Sequence, residues 1–290
     1  MNILSLFNGI SGLHLACDRA GLKVDNCYYS EIDKYANQVT QKNYPDDIAL
    51  GDVTKWREWN IDWSSIDLVG AGFPCQAWSV AGQQQGDKDE RGMLFWTTLE
   101  IIKHVLYFNP NAKFLMENVK MKKEFEEYIT HHTTQALGYV EKTLINSALV
   151  SAQNRLRMYW TNFEVTQPRD KGILLKDVLE DLQGDRPCER IKEGDSGHVA
   201  TTTDIKGMDC IKRVYGQDGK APTLTTMGGG HREPKVLVSD VIYRKLTPLE
   251  CERLQTLPDF WTDCISNTQR YKSIGNGWCI DVIVHILKGL

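Results

Sequence analysis

The stretch that decides the fold class is NILSLFNGISGLHLACDRAG, residues 2–21. Residues 2–7 form a short apolar run that predicts a buried strand, and glycine-rich sequence follows it. Residues 13–20 then carry a helical pattern of apolar side chains, with Gly21 as the expected C-cap. A strand, a glycine-rich turn and a helix in this order are typical of an α/β protein that binds a ligand at the helix N-terminus. A plain strand-to-helix turn gives the same pattern, so this stretch alone leaves the ligand open.

The alternation of strands and helices continues through the first 165 residues. It predicts a largely parallel sheet covered by helices on both faces, with the site at the carboxyl ends of the strands. Further strands are predicted at 27–31, 48–53, 66–72, 113–119, 140–145 and 158–163, and helices at 93–107 and 122–137.

The pattern changes after about residue 165. Residues 184–230 hold nine of the 23 glycines and show little periodicity, which predicts a loop-rich region. A helix returns at 246–255, where Thr247 and Pro248 provide an N-cap and a proline at the first helical position. A last helix is predicted at 278–287. We therefore expect a first domain at 1–165, an irregular region at 166–262 and a C-terminal segment at 263–290 that returns to the first domain.

The composition is that of an ordinary globular protein, with 41% hydrophobic and 25% charged residues. No stretch approaches the roughly 18 apolar residues that cross a membrane, and no secretion signal is seen. The eight cysteines form no Cys-x-x-Cys pair and the seven histidines are scattered, so we expect no metal and free thiols in a reducing compartment. The net charge of −4 argues against a protein that coats nucleic acid, although residues 186–235 hold nine Lys/Arg against seven Asp/Glu.

Two carboxylates follow predicted strands at positions suited to a nucleoside cofactor. Glu31 ends the second strand, where a carboxylate can accept hydrogen bonds from both ribose hydroxyls. Asp52 follows the third strand, where it can accept an adenine amino group. With the glycine-rich residues 7–12, they favour an adenosine-containing cofactor over solvated loop carboxylates. They do not separate a nicotinamide dinucleotide from S-adenosylmethionine.

The fourth predicted strand ends in the sequence AGFPCQAWS, residues 71–79, which places Cys75 at the edge where α/β active sites lie. A lone cysteine is usually a buried structural residue, but Cys75 alone among the eight has a strand end, a proline and a polar loop around it. Glu117 ends the fifth strand at the same predicted edge. Arg155 and Arg157 come just before the predicted strand that begins at Met158, and alternation places them on one face, which suits this edge, a phosphate or an ordinary solvated surface.

At this point the chain resembles the DNA cytosine-5 methyltransferases of bacteria and phages, over essentially its whole length. The resemblance implies a Rossmann-like class I S-adenosylmethionine-dependent methyltransferase fold with a small, loop-rich target-recognition domain. It also implies methylation of a cytosine flipped out of duplex DNA, as in restriction–modification systems. The matching blocks, in the family's order, are SLFNGISG, SEIDKYA, GDV, GFPCQAWS, MENV, QNRLRMYW, RKLTPLECERLQTLPDFW and YKSIGNGW.

The resemblance implies a role for each matching residue. Cys75 would attack C6 of the cytosine, Glu117 would hold the base at N3 and N4, and Arg157 would contact O2 with Arg155 as its supporting partner. At the cofactor site it implies Phe7, Gly9, Ile10, Gly12, Glu31, Ile32, Asp52, Val53, Pro74, Asn276, Gly277 and Trp278. At the DNA it implies Ser79, Gln84, Arg91, Thr223, Thr225, His231 and Arg232.

Some features depart from the family pattern. Ser5 and Asn8 stand where many relatives carry acidic residues, and Trp278 follows Gly-Asn-Gly where valine is more usual. The polar residues 77–92 are expected to close over the flipped base. Residues 185–236 are expected to choose a short target site. We further expect a monomer in the cytoplasm of a bacterial or phage-infected cell.

Three other functions stay open at this stage. A tRNA cytosine-5 methyltransferase of the same family would suit the short recognition region and the negative charge. A catalytically silent DNA-binding homologue would be expected to lack Cys75 or Glu117, and both are present. A nicotinamide oxidoreductase has no use for this cysteine and glutamate pair.

Overall fold

A computed structural model describes residues 1–74, 90–191 and 197–290, apart from the side chains of Glu90 and Arg91. The chain divides into two compact units, and the division passes through the C-terminal helix. Unit 1 comprises Met1–Ile145, Leu156–Gln167 and Ile283–Leu290, and unit 2 comprises Asn146–Arg155 and Pro168–Val282. Among the described residues, no helix has both the length and the apolar character that membrane crossing requires.

Unit 1 is built on a seven-stranded sheet of order β3-β2-β1-β4-β5-β7-β6. The first five strands pair in parallel and β7 runs antiparallel to β5, so the predicted parallel-rich α/β sheet is confirmed. The strands are β1 (Asn2–Leu6), β2 (Asn26–Ser30), β3 (Ile48–Gly51), β4 (Ile66–Gly72), β5 (Lys113–Val119), β6 (Glu141–Asn146) and β7 (Leu156–Thr161), and the helices are α1 (Gly12–Ala20), α2 (Lys34–Asn43), α3 (Glu90–Phe108), α4 (Lys123–Leu137) and α7 (Ile280–Leu287).

The strand order positions the site. The chain adds β2 and β3 on one side of β1, then crosses over and adds β4 and β5 on the other. Such a reversal opens a crevice at the carboxyl ends of the two central strands, where α/β proteins bind ligands. The loop after β1 and the end of β4 therefore meet at one sheet edge.

Close packing at the centre of unit 1 depends on one glycine. A side chain at Gly70 of β4 would place its Cβ 2.7 Å from a methyl carbon of Leu13. Glycine therefore lets α1 approach the sheet closely. The apolar core around these strands includes the fully buried Leu4, Ile66 and Phe114.

Helix α2 was absent from the sequence prediction. Its N-terminus is capped by Asp33, whose side chain accepts hydrogen bonds from the amides of Tyr35 and Ala36. Only Ala36, Val39 and Thr40 are buried, so the apolar stripe is too narrow to give a strong helical period.

Unit 2 contains a closed barrel in the region that the glycine content predicts to be loops. Five short strands follow the order β10-β11-β12-β8-β9 and enclose a small core that includes Cys188, Val214 and Tyr243. Strands this short show no readable alternation. They are β8 (Arg186–Arg190), β9 (His198–Thr202), β10 (Arg213–Tyr215), β11 (Lys235–Ser239) and β12 (Ile242–Lys245).

Two helices complete unit 2, α5 (Pro248–Leu254) and α6 (Asn267–Asn276). The predicted cap of α5 is confirmed, because Thr247 and Glu250 form a reciprocal capping box with Pro248 in the first turn. Glu250 is buried and pairs with Arg244 at 2.7 Å, which satisfies both charges inside the unit. Helix α6 was not predicted, since only Ser273, Ile274 and Gly275 of its ten residues are buried.

Candidate active site

A carboxylate and a guanidinium lie together at the carboxyl end of β5. Glu117 stands opposite Tyr159 in the antiparallel register, and Arg157 stands opposite Val119. Residues two apart on one strand face the same side, so Glu117 and Arg157 are diagonal neighbours on one face. Arg157 Nε donates to Glu117 Oε1 at 2.9 Å.

This ion pair is nearly enclosed. The side chains of Glu117 and Arg157 are only 11% and 13% exposed. A charge-assisted hydrogen bond in such a place fixes the orientation of the carboxylate, since solvent screens it little. Arg157 also donates from Nη1 to the carbonyl of Leu156 at 2.9 Å, which anchors the guanidinium to its own strand.

The end of β4 lies beside this pair. Gly72 is the register partner of Glu117. The buried side chain of Asn118 donates from Nδ2 to the carbonyl of Phe73 at 3.1 Å, and this bond holds the chain where it leaves the sheet. The sequence analysis did not select Asn118, although its place beside Glu117 in the MENV block indicated a role at this edge. Cys75 follows Pro74 and lies outside the described residues.

Glu31 is held rigidly at the end of β2. One carboxylate oxygen accepts from the amide of Gly9 at 2.8 Å, and the other accepts from the amides of Ile32 and Asp33, both at 2.8 Å. Three backbone donors fix the orientation of this carboxylate. A carboxylate oxygen has room for more than one hydrogen bond, so the group can still accept ribose hydroxyls.

The loop after β1 curls tightly around this carboxylate. Phe7, Gly9 and Ser11 all have left-handed backbone, with φ of 54°, 58° and 64°. Asn8 turns inward, where its amide nitrogen donates to Ser11 and Thr40. Asn8 therefore has a structural role in this loop.

The remaining cofactor candidates of unit 1 differ in exposure. Ile32 is 77% exposed and offers an apolar surface beside Glu31, whereas Ile10 and Val53 are buried. Asp52 caps the turn that follows β3, where one oxygen accepts from the amide and hydroxyl of Thr54. Gly12 is buried at the start of α1 and Pro74 is half-buried. An oriented carboxylate, an exposed apolar side chain and a loop backbone beside that carboxylate fit an adenosine-containing ligand.

Arg155 belongs to unit 2, and it is 4% exposed. Its Nη1 donates to the carbonyl of Leu224 at 2.9 Å, and its Nη2 donates to the carbonyls of Gly275 and Gly277 at 3.1 and 3.0 Å. The guanidinium therefore ties the segment around Leu224 to the end of α6. The support of Arg157 by Arg155, which the resemblance implied, stays a prediction.

Asn276, Gly277 and Trp278 lie at the end of that helix. Asn276 is exposed, and the other two are half-buried. The carbonyl of Gly277 also accepts from Gln255 Nε2 at 3.1 Å, so the backbone of this turn is fixed from two sides. A side chain on Gly275 would place its Cβ 1.8 Å from the carbonyl oxygen of Thr225, which only glycine avoids.

The segment at 221–225 runs beside residues 152–154. Ala221 donates to the carbonyl of Ala152 at 2.7 Å and accepts from the amide of Asn154 at 2.9 Å. The buried Gln153 accepts from the amide of Leu224 at 2.9 Å. Sequence reasoning missed Gln153, whose signal was its place at the head of the QNRLRMYW block.

The DNA-contact candidates of unit 2 are exposed. Thr223 and Thr225 flank the buried Leu224, and the chain then turns through His231, which has left-handed backbone, to Arg232. Thr223 donates to the carbonyl of Asn154 at 2.6 Å. The other DNA candidates, Ser79 and Gln84, lie outside the described residues, as does most of the predicted 77–92 loop; of Arg91 only the backbone, in α3, is described.

A family model and several known proteins match this chain over nearly its whole length. The model for C-5 cytosine-specific DNA methylases matches residues 1–186 and 186–290. The type II methyltransferases M.NlaX of Neisseria lactamica and M.HhaI of Haemophilus parahaemolyticus are each 31% identical, over 97% and 99% of this chain and 93% of their own length. The Entamoeba histolytica methyltransferase EhMeth and Spodoptera frugiperda DNMT2 share the fold, with TM-scores of 0.71 and 0.69, at 16% and 19% identity. Each of these structures covers 99% of this chain, which in turn covers 97% and 98% of theirs.

These matches confirm both the predicted resemblance and the Rossmann-like methyltransferase fold. The chain belongs to the C-5 cytosine-specific DNA methylase family, whose members transfer a methyl group from S-adenosylmethionine to C5 of cytosine in DNA.

Proposed function

We propose that Cys75 and Glu117 together activate a cytosine flipped out of duplex DNA. The observation that supports this proposal is the enclosed ion pair of Glu117 and Arg157. Glu117 lies opposite Gly72 of β4, and the chain continues from β4 to Cys75. Attack at C6 comes from the face of the ring, and neighbouring bases cover both faces in a duplex, so the cytosine must leave the stack.

C5 of cytosine is a weak nucleophile until a group adds at C6. The Cys75 thiolate forms the sulfur–C6 bond, and the electron pair of the C5–C6 double bond moves toward C5 and the N3 side of the ring. Glu117 holds N4 and, in its protonated form, supplies a proton at N3, which stabilises that charge. S-adenosylmethionine supplies the methyl group that C5 accepts. A water-mediated base then removes the C5 proton, the C5–C6 double bond re-forms, Cys75 leaves as thiolate and N3 returns its proton to Glu117.

Arg157 orients the catalytic carboxylate in this proposal. A guanidinium carries five N–H donors in a fixed plane, so it can bind Glu117 and still reach the cytosine O2. Arg155, with its three carbonyl partners, acts as a positioning residue rather than a contact to the base.

The cofactor is assigned to the loop after β1 and the ends of β2 and β3. Glu31, oriented by three amides, would accept the ribose hydroxyls, and Asp52 would accept the adenine amino group. Ile32 would cover an apolar ring face. From the other positions we assign Phe7, Gly9, Ile10, Gly12, Val53, Pro74, Asn276, Gly277 and Trp278.

Target recognition is assigned to unit 2, within the proposed region 166–262, with residues 1–165 as catalytic domain and 263–290 returning to it. The exposed residues between 221 and 232 have the polar groups that read base edges, and the segment 185–236 is slightly basic. The enzyme would act as a monomer, in the cytoplasm of a bacterial or phage-infected cell. A tRNA substrate is not favoured, because the relatives near 30% identity are named type II methyltransferases.

A covalent trap tests the mechanism. With 5-fluorocytosine at the target, methyl transfer leaves no C5 proton to remove, so the enzyme should remain bonded to DNA through a denaturing gel. The adduct should require S-adenosylmethionine. Cys75→Ala should abolish adduct and turnover, whereas Cys264→Ala, which removes an exposed thiol, should retain both.

Two results would count against this proposal. Methylation by the Cys75→Ala enzyme, or an adduct through another cysteine, would overturn the assignment of the nucleophile. Assays of duplex DNA and tRNA side by side check the substrate, and tRNA as the faster substrate would reverse it.

A further inference from the structure

Three side chains with metal-binding atoms meet inside unit 1. His14 lies on α1, Cys27 is the second residue of β2, and Asp47 directly precedes β3. One nitrogen, one sulfur and one carboxylate oxygen from them all lie within 4.8 Å of one another. Imidazole, thiolate and carboxylate are the ligand types that bind Zn²⁺ in proteins. We propose that His14, Cys27 and Asp47 bind one divalent transition-metal ion of the Zn²⁺ class.

The histidine ring is already oriented for this role. Its Nδ1 faces the cluster, 2.9 Å from Asp47 Oδ1, and its Nε2 lies 3.9 Å from Asp18. Tyr44 stacks on the ring with centroids 3.8 Å apart and donates its hydroxyl hydrogen to Asp18 at 2.6 Å. The stacked Tyr44 fixes the ring plane, and Asp18 stands where a metal-binding histidine usually has a carboxylate partner, although 3.9 Å exceeds a direct hydrogen bond.

The cluster is also shielded from solvent. Cys27 is 3% exposed, and the side chains of Asp47 and His14 are 4% and 13% exposed. Burial and the neighbouring Asp47 carboxylate raise the pKa of the Cys27 thiol. A bound cation would reverse this by neutralising Asp47 and stabilising the thiolate, with release of the thiol proton. The second Asp47 oxygen or a water molecule would complete four-coordination.

The position of the cluster indicates a structural ion. Cys27 lies four residues before Glu31, roughly 13 Å along the strand, so the ion would sit at the opposite end of β2 from the proposed cofactor residue. It would tie α1, β2 and the segment before β3 together. This role is independent of the proposed catalytic mechanism, and the ligand spacings of 13 and 20 residues match no zinc motif in the sequence.

The test begins with the full chain, stripped of metal by a chelator and titrated with Zn²⁺. We expect one tightly bound Zn²⁺ per chain and a melting temperature that rises with Zn²⁺ concentration. Co²⁺ should give a thiolate-to-cobalt charge-transfer absorption. The same measurements in a Cys75→Ala background exclude binding by the reactive cysteine.

Substitutions locate the site. Cys27→Ser and Asp47→Asn should remove the stoichiometric ion, and Asp18→Asn should weaken binding by roughly 10–100-fold. Cys188→Ser, which replaces a buried thiol of β8, should leave binding unchanged. If Cys27→Ser fails to fold, the Co²⁺ spectrum of the Cys75→Ala protein tests the proposal, because it shows whether a thiolate other than Cys75 binds the ion. Its lack of a thiolate band, or Zn²⁺ binding that survives Cys27→Ser, would overturn the proposal and leave a hydrogen-bonded cluster.

Discussion

The strand edge in unit 1 and the 221–232 segment in unit 2 hold their polar groups by different means. Glu117 and Arg157 are presented by two regular strands, whose register alone makes them neighbours. The 221–232 segment has no strand of its own, and buried side chains hold it: Gln153 and Arg155 bind the backbone of Leu224. One region is organised by periodic backbone pairing and the other by individual long-range contacts.

The two regions should therefore respond differently to substitution. A side chain on a regular strand can be changed with little effect on the backbone, because the ladder hydrogen bonds remain. A segment held by a few buried donors loses its position when one donor is removed, since each unpaired buried carbonyl is costly. Substitutions at the edge should therefore affect chemistry, and substitutions around the segment should affect stability and recognition.

The largest effect is expected at the strand edge. Glu117→Gln keeps the shape of the side chain but removes the acid, so kcat should fall by roughly 10²–10⁴-fold with little change in DNA affinity. Glu124→Gln, an exposed residue of α4, is the matched control and should behave as wild type. Single-turnover kinetics and DNA-binding titrations measure both quantities. An equal loss of affinity and rate would mean that Glu117 serves binding rather than catalysis.

The close backbone contact at Gly275 tests how the 221–232 segment is held in place. A methyl group there would overlap the Thr225 carbonyl, so Gly275→Ala should lower the free energy of unfolding by about 3 kcal/mol or more. Gly228→Ala faces open space and should change it by less than about 0.5 kcal/mol. Urea denaturation compares the two variants. Equal stability of the two variants would show that the close contact between position 275 and the Thr225 carbonyl does not require glycine.

The two arginines of the QNRLRMYW block allow a direct comparison. Arg155→Met removes the donor of three carbonyls and should cost roughly 2 kcal/mol of stability. Arg157→Met should mainly lower kcat, because its partner Glu117 loses its orientation. Thermal melts and steady-state assays of both variants measure the contrast. The reverse pattern, a stable but inactive Arg155→Met enzyme, would assign Arg155 to the chemistry.

The smallest effect on stability is expected at Lys235, whose ammonium binds backbone carbonyls at the end of the 221–232 segment. Its ammonium donates to the carbonyls of His231 and Glu233 at 2.7 and 3.0 Å, and burial lowers its pKa to about 8. The unfolded chain binds more protons than the folded one between this pKa and the ordinary lysine value near 10.5, so the Lys235 contribution to stability should rise across that range. Nearby Glu233 and Lys245 shift the pKa in opposite directions.

The measurement is the difference in unfolding free energy between the wild type and Lys235→Met at several pH values from 7.5 to 10. The difference should move in favour of the wild type as the pH rises. A difference that stays flat with pH would show that Lys235 is charged throughout.

The sequence predicted the regular parts of the fold well. The end of β4 was located by an apolar run that stops before Pro74, and the end of β5 by a run that stops at Glu117 and Asn118. Helices α2 and α6 were not predicted, because each buries only three residues along a polar sequence. The strands of the barrel are three to five residues long, too short for the alternation of buried and exposed positions to be read.

The α/β class, the family and the ends of β4 and β5 could be predicted from the sequence, because strand periods and motif spacing are local properties of the chain. The tertiary structure alone decided the partners of Arg155, which lie 69 to 122 residues away. It also decided why position 275 must be glycine and why His14, Cys27 and Asp47 meet. Such contacts depend on how distant segments pack, and local spacing carries no information about them.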